Sequence, residues 1–404
     1  MQKHSLIITA VAFMMAAAAC TKSDKYMDYV DGIDRSYAGK VDSLRLSSGD
    51  RRIQLSWIHF ADPTVENVVI YYSNSAKKDS VVLPVKRSSH PDTLSYLFPQ
   101  LQEGMYNFTI YTTNMHGRRS IPVNVSGRAY GDQYRSTLLN RPVSDAEWRD
   151  DGSAYITFGT EEETAAGVEL TYTKTDGKTA ILKSPRGKST IVLPEYKPGT
   201  PFAFRTMFRP DTSCIDTFYA AKETLLLKRE FITPLHLKNY KRPFAIGTWD
   251  GSRWGTPADW NVNAAAKTRN GGFGGFDNLA EAATFGFEKW DGEPVISNGK
   301  AWQTITLPAG KYELRVNLGA GEWYLGTLGG DARYMAVATG NSLPDYDKMS
   351  TALAYKNFSG ENDRSLQFTL AQPTTLSVGF VMNWQSWGAQ YFRMENLHII
   401  HYPQ

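Results

Sequence analysis

The residues of this chain with the clearest capacity for chemistry are its tryptophans and the polar side chains beside them. Eight of the ten tryptophans lie after Phe244: Trp249, Trp254, Trp260, Trp290, Trp302, Trp323, Trp384 and Trp387. In NWQSWGAQY, residues 383–391, Trp384 and Trp387 stand in a polar, glycine-containing setting between two strand patterns, which predicts a loop, with Asn383 and Gln385 as companions. Trp323 and Tyr324 follow LGAGE and precede LGTLGGD, while Trp254 and Trp260 sit near Gly255, Pro257 and Asp259. Aromatic rings on loops form flat platforms for the apolar face of a sugar ring, and amides, carboxylates and guanidiniums bind its hydroxyls. Arg253 and Arg333 complete the candidate ligand-binding set. The alternative for each indole is to close one end of a sandwich. Trp290 and Trp302 are assigned to packing or sheet faces.

Other chemistries find little support. The seven histidines form no HExxH arrangement, and His398 and His401, three apart in a predicted strand, point to opposite faces. No GxSxG elbow occurs. The run Gly271-Gly272-Phe273-Gly274-Gly275 lacks the Lys, Ser or Thr that would meet a phosphate, so its glycines are read as tight turns and close backbone approach. Carboxylates are plentiful after Phe244, at Asp250, Asp259, Asp277, Glu281, Glu288, Asp291, Glu293, Glu322 and Asp331. A glycosidase needs two of them at a set separation, which sequence spacing does not reveal. Most sit among turn residues, where acids are common for local reasons. A formal charge of +3 over 404 residues gives no basic footprint for nucleic acid.

These side chains need a rigid scaffold, and its clearest element is NGKAWQTITLPAGKYELRV, residues 298–316. It reads as a hairpin turning at Pro308 and Gly310. Beyond the turn Tyr312, Leu314, Val316 and Leu318 alternate with polar neighbours, so one face is buried. Further strands are predicted at 302–307, 333–338, 366–370, 375–381 and 391–402. The sequence has no long helical period, and residues 244–404 therefore read as a jelly roll with decorated loops. Residues 40–130 read as a smaller sandwich, with Trp57, Tyr71 and Tyr72 assigned to its core; residues 131–228 repeat the plan, and 229–243 form a polar connection. The fold class is all-β.

The N-terminus carries a targeting signal over residues 1–19. Lys3 and His4 precede the apolar stretch 5–15, which is short for a membrane span, and four alanines lead into Cys20. Small residues before a cysteine resemble a bacterial lipobox, which implies cleavage before Cys20, lipidation there and a tether over 20–39. Cys214 is the remaining cysteine, so an acylated Cys20 leaves no intramolecular disulfide.

The segment around Leu101, Gly104 and Tyr106, followed by Phe108 and Ile110, resembles the fibronectin type III pattern with its tyrosine corner. KPGTPFAFRTMF, residues 197–208, corresponds to it with Phe202 in place of the tyrosine, so the corner hydroxyl is lost. The motif at 298–316, with GGFGGFDN upstream and MENLHIIHY at the end, resembles the C-terminal domain of a Bacteroidetes lipoprotein family of unknown function, whose N-terminal partner is fibronectin-like. That C-terminal domain is similar to galactose-binding-like jelly rolls. The resemblance implies glycan capture at the cell surface, without catalysis, beside an outer-membrane importer and its lipoprotein lid. It also implies outer-membrane anchoring through lipid. No cofactor is expected beyond a structural calcium, for which Asp277 and Glu395 are the candidates. The rival readings are an adhesin or assembly protein that binds a protein partner, and a glycan-cleaving enzyme.

Overall fold

The computed structural model describes residues 37–86, 90–279, 282–325, 331–358 and 364–404, with the side chains of 320–325 outside that set. The signal segment, Cys20 and most of the tether lie outside the described residues. Two compact units are present: one runs to Tyr134 and includes Ser213–Asp216, and the other comprises Arg135–Thr212 and Thr217–Gln404.

The first unit is a seven-stranded antiparallel sandwich. Its strands are β1 (Asp42–Gly49), β2 (Arg52–His59), β3 (Val65–Ser73), β4 (Lys78–Pro84), β5 (Asp92–Phe98), β6 (Gly104–Asn114) and β7 (Val123–Ala129). They form sheets β1-β2-β5 and β4-β3-β6-β7, the fibronectin type III arrangement. Inward-facing Ile53, Leu55, Trp57, Val68, Ile70, Phe108 and Ile110 are buried between them. The Tyr106 hydroxyl donates to the Gln102 carbonyl at 3.1 Å, the tyrosine corner that the sequence motif predicts. Tyr72 packs on Phe98. Tyr71 departs from its core assignment: it alternates onto the outer face, exposed beside Tyr111.

The second unit holds two sandwiches. The first uses β8 (Val143–Trp148), β9 (Ala154–Phe158), β10 (Ala165–Thr173), β11 (Thr179–Pro185), β12 (Thr190–Leu193), β13 (Phe202–Phe208), β14 (Phe218–Tyr219) and β15 (Glu223–Leu225). Sheet β12-β9-β8 faces sheet β11-β10-β13, with β14 and β15 on the far edge of β13. The order repeats that of the first unit. Phe202 is buried without a corner hydroxyl, and Tyr196 instead donates to the Thr200 carbonyl.

The connection after Leu225 is structured. It carries β16 (Arg229–Phe231) and a helical turn, Thr233–His236. The last sandwich then uses β17 (Ile246–Trp249), β18 (Trp254–Pro257), β19 (Asn261–Val262), β20 (Gly275–Asp277), β21 (Thr284–Lys289), β22 (Ile296–Leu307), β23 (Gly310–Leu325), β24 (Ala332–Thr339), β25 (Ala354–Asn357), β26 (Ser365–Leu370), β27 (Thr374–Trp384) and β28 (Gln390–Tyr402). One sheet runs β19-β22-β27-β24-β25; the other runs β26-β23-β28-β21-β20-β18-β17. Strand β16 lies parallel to β8 and antiparallel to the end of β28, so one continuous sheet passes from the second sandwich into the third.

The stretch 298–316 is not a hairpin. Strand β22 pairs with β19 and β27, and β23 pairs with β26 and β28, so the turn at Pro308 carries the chain from one sheet to the other. The period-two reading of β23 identifies the inward face correctly, because Tyr312, Leu314, Val316 and Leu318 are all buried. Alternation reports a buried face but does not name the strand's neighbour. The Tyr312 hydroxyl donates to the Pro308 carbonyl at 2.9 Å and fastens the crossing. At the glycine run, a Cβ on Gly274 would collide with the Ala266 carbonyl oxygen, so close backbone approach requires glycine there.

Candidate functional site

The structure separates the candidate residues into three groups. Trp384 is the last residue of β27 rather than part of a loop, and it is fully buried with its ring edge-on to Phe392. Trp260 is buried 4.5 Å from Phe285, and its indole N–H donates to the Asn239 carbonyl at 2.9 Å. Neither offers a ring face to a ligand. Both follow the rule that a large apolar ring beside a sheet is worth more inside than out. Asn383 and Arg333 are buried too, on β27 and β24. Burial lowers the pKa of Arg333, and Asp331 opposes that shift.

A second group remains at the surface. Trp387 is 73 % exposed at the tip of loop 385–389. The loop is pinned by the Asp331 carboxylate, which accepts the backbone N–H groups of Gln385 at 2.8 Å and Ser386 at 3.1 Å, and by Lys289, whose Nζ donates to the Ser386 carbonyl at 2.7 Å. Gln385 is exposed, and its Nε2 donates to Asn383 Oδ1 at 3.2 Å. Trp323 and Tyr324 continue β23, where their backbones pair with Phe392 and Tyr391; their side chains lie outside the described set.

The third group was only partly legible in the sequence. On the outer face of the sheet, β28, β21, β20 and β18 set side by side a column of planar and charged groups. Trp290, directly after β21, stacks on Tyr391 with ring centroids 5.9 Å apart and planes 27° apart. The Arg393 guanidinium lies 5.1 Å from the Tyr391 centroid. Arg393 donates to Glu288 at 2.9 Å and to Asp277 at 3.3 Å. Arg253 makes a bidentate pair with Asp277, at 2.7 and 2.9 Å, and also reaches Glu288 at 3.2 Å. Its guanidinium lies 4.0 Å from the Trp254 ring centre, and that of Arg269 lies 4.8 Å from the same centre. Arg269 donates to Glu293 at 2.6 Å, and Glu293 accepts the Trp290 backbone N–H at 2.7 Å, which closes the circuit.

Each step has an ordinary cause. Register places Tyr391 opposite Glu288, Gly286 opposite Arg393 and Trp254 opposite Asp277, all on the face away from the phenylalanine core. Burial acts to raise the Asp277 carboxyl, but hydrogen bonds from Arg253 and Leu279 and the nearby Arg393 outweigh it, so its pKa lies below the usual range. Glu293 behaves likewise: burial pushes it up, and Arg269 and the Trp290 N–H pull it lower. Cation–π contacts and charge-assisted hydrogen bonds fix every planar group against the next. Trp290 ends the column on the outer sheet face, one of the two places the sequence reading allowed it, and is 44 % exposed. Trp302 does pack, with its indole N–H donating to the Asn341 carbonyl at 2.9 Å. The signals that could have found the column were the alternation of Tyr391, Arg393 and Glu395 along β28 and of Gly286 and Glu288 along β21. They were readable only once the strands' neighbours were known.

The calcium candidates do not fit a metal. Asp277 is held by two guanidiniums that would repel a cation, and Glu395 pairs with Arg242 at 2.7 Å. Among the described residues no group of three or more His, Cys, Asp or Glu side chains is placed to hold a metal ion. No helix among them is long and apolar enough to cross a membrane.

Residues 20–218 match the family DUF4998, described as a domain of unknown function, and residues 238–379 match a second, described as domain of unknown function DUF5013. The first match covers the first fibronectin-like sandwich and the second as far as the start of β14. No curated protein matches the chain. Similar solved structures include a two fibronectin type-III domain segment from chicken tenascin, 14 % identical, covering 47 % of this chain and 99 % of that one, with a TM-score of 0.22. The FN1–FN3 domains of chicken CNTN1 are 10 % identical over 47 % of this chain and 66 % of theirs, with a TM-score of 0.31. At these scores the fold rests on the strand order described above.

Proposed function

We propose that this protein is a non-catalytic glycan-binding lipoprotein, anchored through Cys20 at the outer membrane and exposed at the cell surface. Its last sandwich, of galactose-binding-like type, captures polysaccharide or oligosaccharide for an uptake system comprising an importer and its lipoprotein lid. The two fibronectin-like sandwiches act as the stalk. The observation that carries the reading is the stacked column ending at the exposed Trp290, with the pinned Trp387 loop at the same end of the sandwich. A rigid sheet that spends ion pairs to hold a ring open to solvent provides the preorganised platform that weak sugar stacking needs. Arginine hydrogen bonds hold the Asp277 carboxyl below its ordinary range, so Asp277 is unsuited to the role of general acid.

The test is affinity electrophoresis of the chain from Thr21 onward through gels containing a panel of polysaccharides. Retardation by at least one glycan supports the reading. A folded protein that no glycan retards makes the protein-binding adhesin the leading account, and release of product from a glycan makes the enzyme the leading one.

A further inference from the structure

We infer that the ligand of the Trp290–Trp387 end is a neutral glycan, and that acidic sugars are excluded by charge; this rests on the glycan reading above. Arginine is the side chain that recognises the carboxylate or sulfate of an acidic sugar through paired N–H donors. The column contains three arginines, and all three are committed. Arg253 and Arg393 share Asp277 and Glu288, and Arg269 is held by Glu293 and the Glu288 carbonyl. The three guanidiniums are balanced by three carboxylates. A sugar carboxylate could take an arginine here only by leaving Asp277 or Glu288, both buried, without its partner.

The remaining charges beside the platform act in the same direction. Lys289 is buried, with its ammonium turned to the Ser386 carbonyl beneath the loop. Asp291, directly after Trp290, is exposed and carries no ion pair or hydrogen bond among the described residues. Among the described charged residues of the column and its loop, the uncommitted one is therefore negative. Like-charge juxtaposition is the usual means by which a site rejects a close analogue of its ligand, and Asp291 supplies it. Neutral sugar hydroxyls meet no such penalty and can donate to the carboxylate.

Isothermal titration calorimetry in 0.15 M salt tests this, since that ionic strength screens the general attraction of a net-positive chain for polyanions. The whole chain from Thr21 is titrated with oligosaccharide pools from neutral plant polysaccharides and with size-matched oligogalacturonides. The expected result is binding to a neutral pool and affinity for the acidic pool at least roughly tenfold weaker, with D291K narrowing that gap while its melting temperature stays unchanged. Acidic pools that bind as well as neutral ones, or a gap that D291K leaves in place, overturn the inference and leave the glycan reading standing. Binding to no pool removes the glycan reading and this inference with it.

Discussion

Glu230 and His401 meet where the second sandwich passes into the third: Glu230 Oε2 lies 2.8 Å from His401 Nδ1, while Glu230 Oε1 accepts the backbone N–H of Gly199 at 2.7 Å. One fully buried carboxylate on β16 thus ties a loop of one sandwich to the last strand of the other. Its charge also adds to burial in pushing the Tyr312 hydroxyl up to about 12. Removing one partner of a buried hydrogen-bonded pair costs about 3 kcal/mol or more. Glu230→Ala is expected to lower unfolding free energy by that order in urea melts, and Glu230→Gln, which retains acceptor geometry toward Gly199, by clearly less. Equal stability of Glu230→Ala and the parent would show that the junction bears no strain-resisting role.

The shared sheet makes a second prediction. Because β16 pairs with both β8 and β28, residues 135–404 should unfold as one cooperative unit, with a single calorimetric transition. A fragment starting at Phe244 loses the β16 pairing and the Glu230 contact, and it should melt at a lower temperature than the same sandwich within 135–404. Two separated transitions in 135–404 would contradict the continuity of the sheet.

Tryptophans that share a sequence neighbourhood should respond in opposite ways. Trp384→Ala empties a fully buried site and is expected to cost about 3–5 kcal/mol. Glycan retardation of the fraction that remains folded should be unchanged. Trp387→Ala removes an exposed ring and should leave stability within about 0.5 kcal/mol. Chemical denaturation of both variants distinguishes them; a destabilised Trp387→Ala would mean that the loop is packed.

Acid should loosen the column. Asp277 has a folded pKa below its unfolded value near 3.9. Its contribution is therefore fully present above about pH 4 and is lost as pH falls through the lower folded value. Asp345, pulled down to about 2 by Lys300 and Asn298, titrates in the same window. Urea melts at pH 6, 4 and 3 should show Asp277→Asn less stable than the parent at pH 6, with the difference shrinking below pH 4. A constant difference across that range would show that the Asp277 charge is not what the arginines require.

Much of the fold could be read from periodicity. Tyr312, Leu314, Val316 and Leu318 mark the buried face of β23, and Tyr106 marks the corner that opens β6, because each side chain's environment is set by its own strand. The supposed hairpin at Pro308 and the supposed loop at Trp384 failed for a different reason. Strand pairing and the end of a strand depend on partners far away in sequence, Leu314 with Ile399 and Trp384 with Ile296. The candidate site failed in the same way. Arg253 and Trp254 were singled out, but their partners Glu288, Tyr391 and Arg393 lie on two other strands, and only register brings them together.

The central claim is that the exposed end of the column binds glycan. Its most direct test is affinity electrophoresis of Trp290→Ala, Trp387→Ala and the double variant beside the parent, in gels containing whichever polysaccharide retards the parent. The account predicts retardation reduced by each single change and abolished by the pair, with melting temperatures preserved for Trp387→Ala, since stacking at each ring contributes separately. Full retardation of a folded double variant would contradict it and place the binding site elsewhere on the chain.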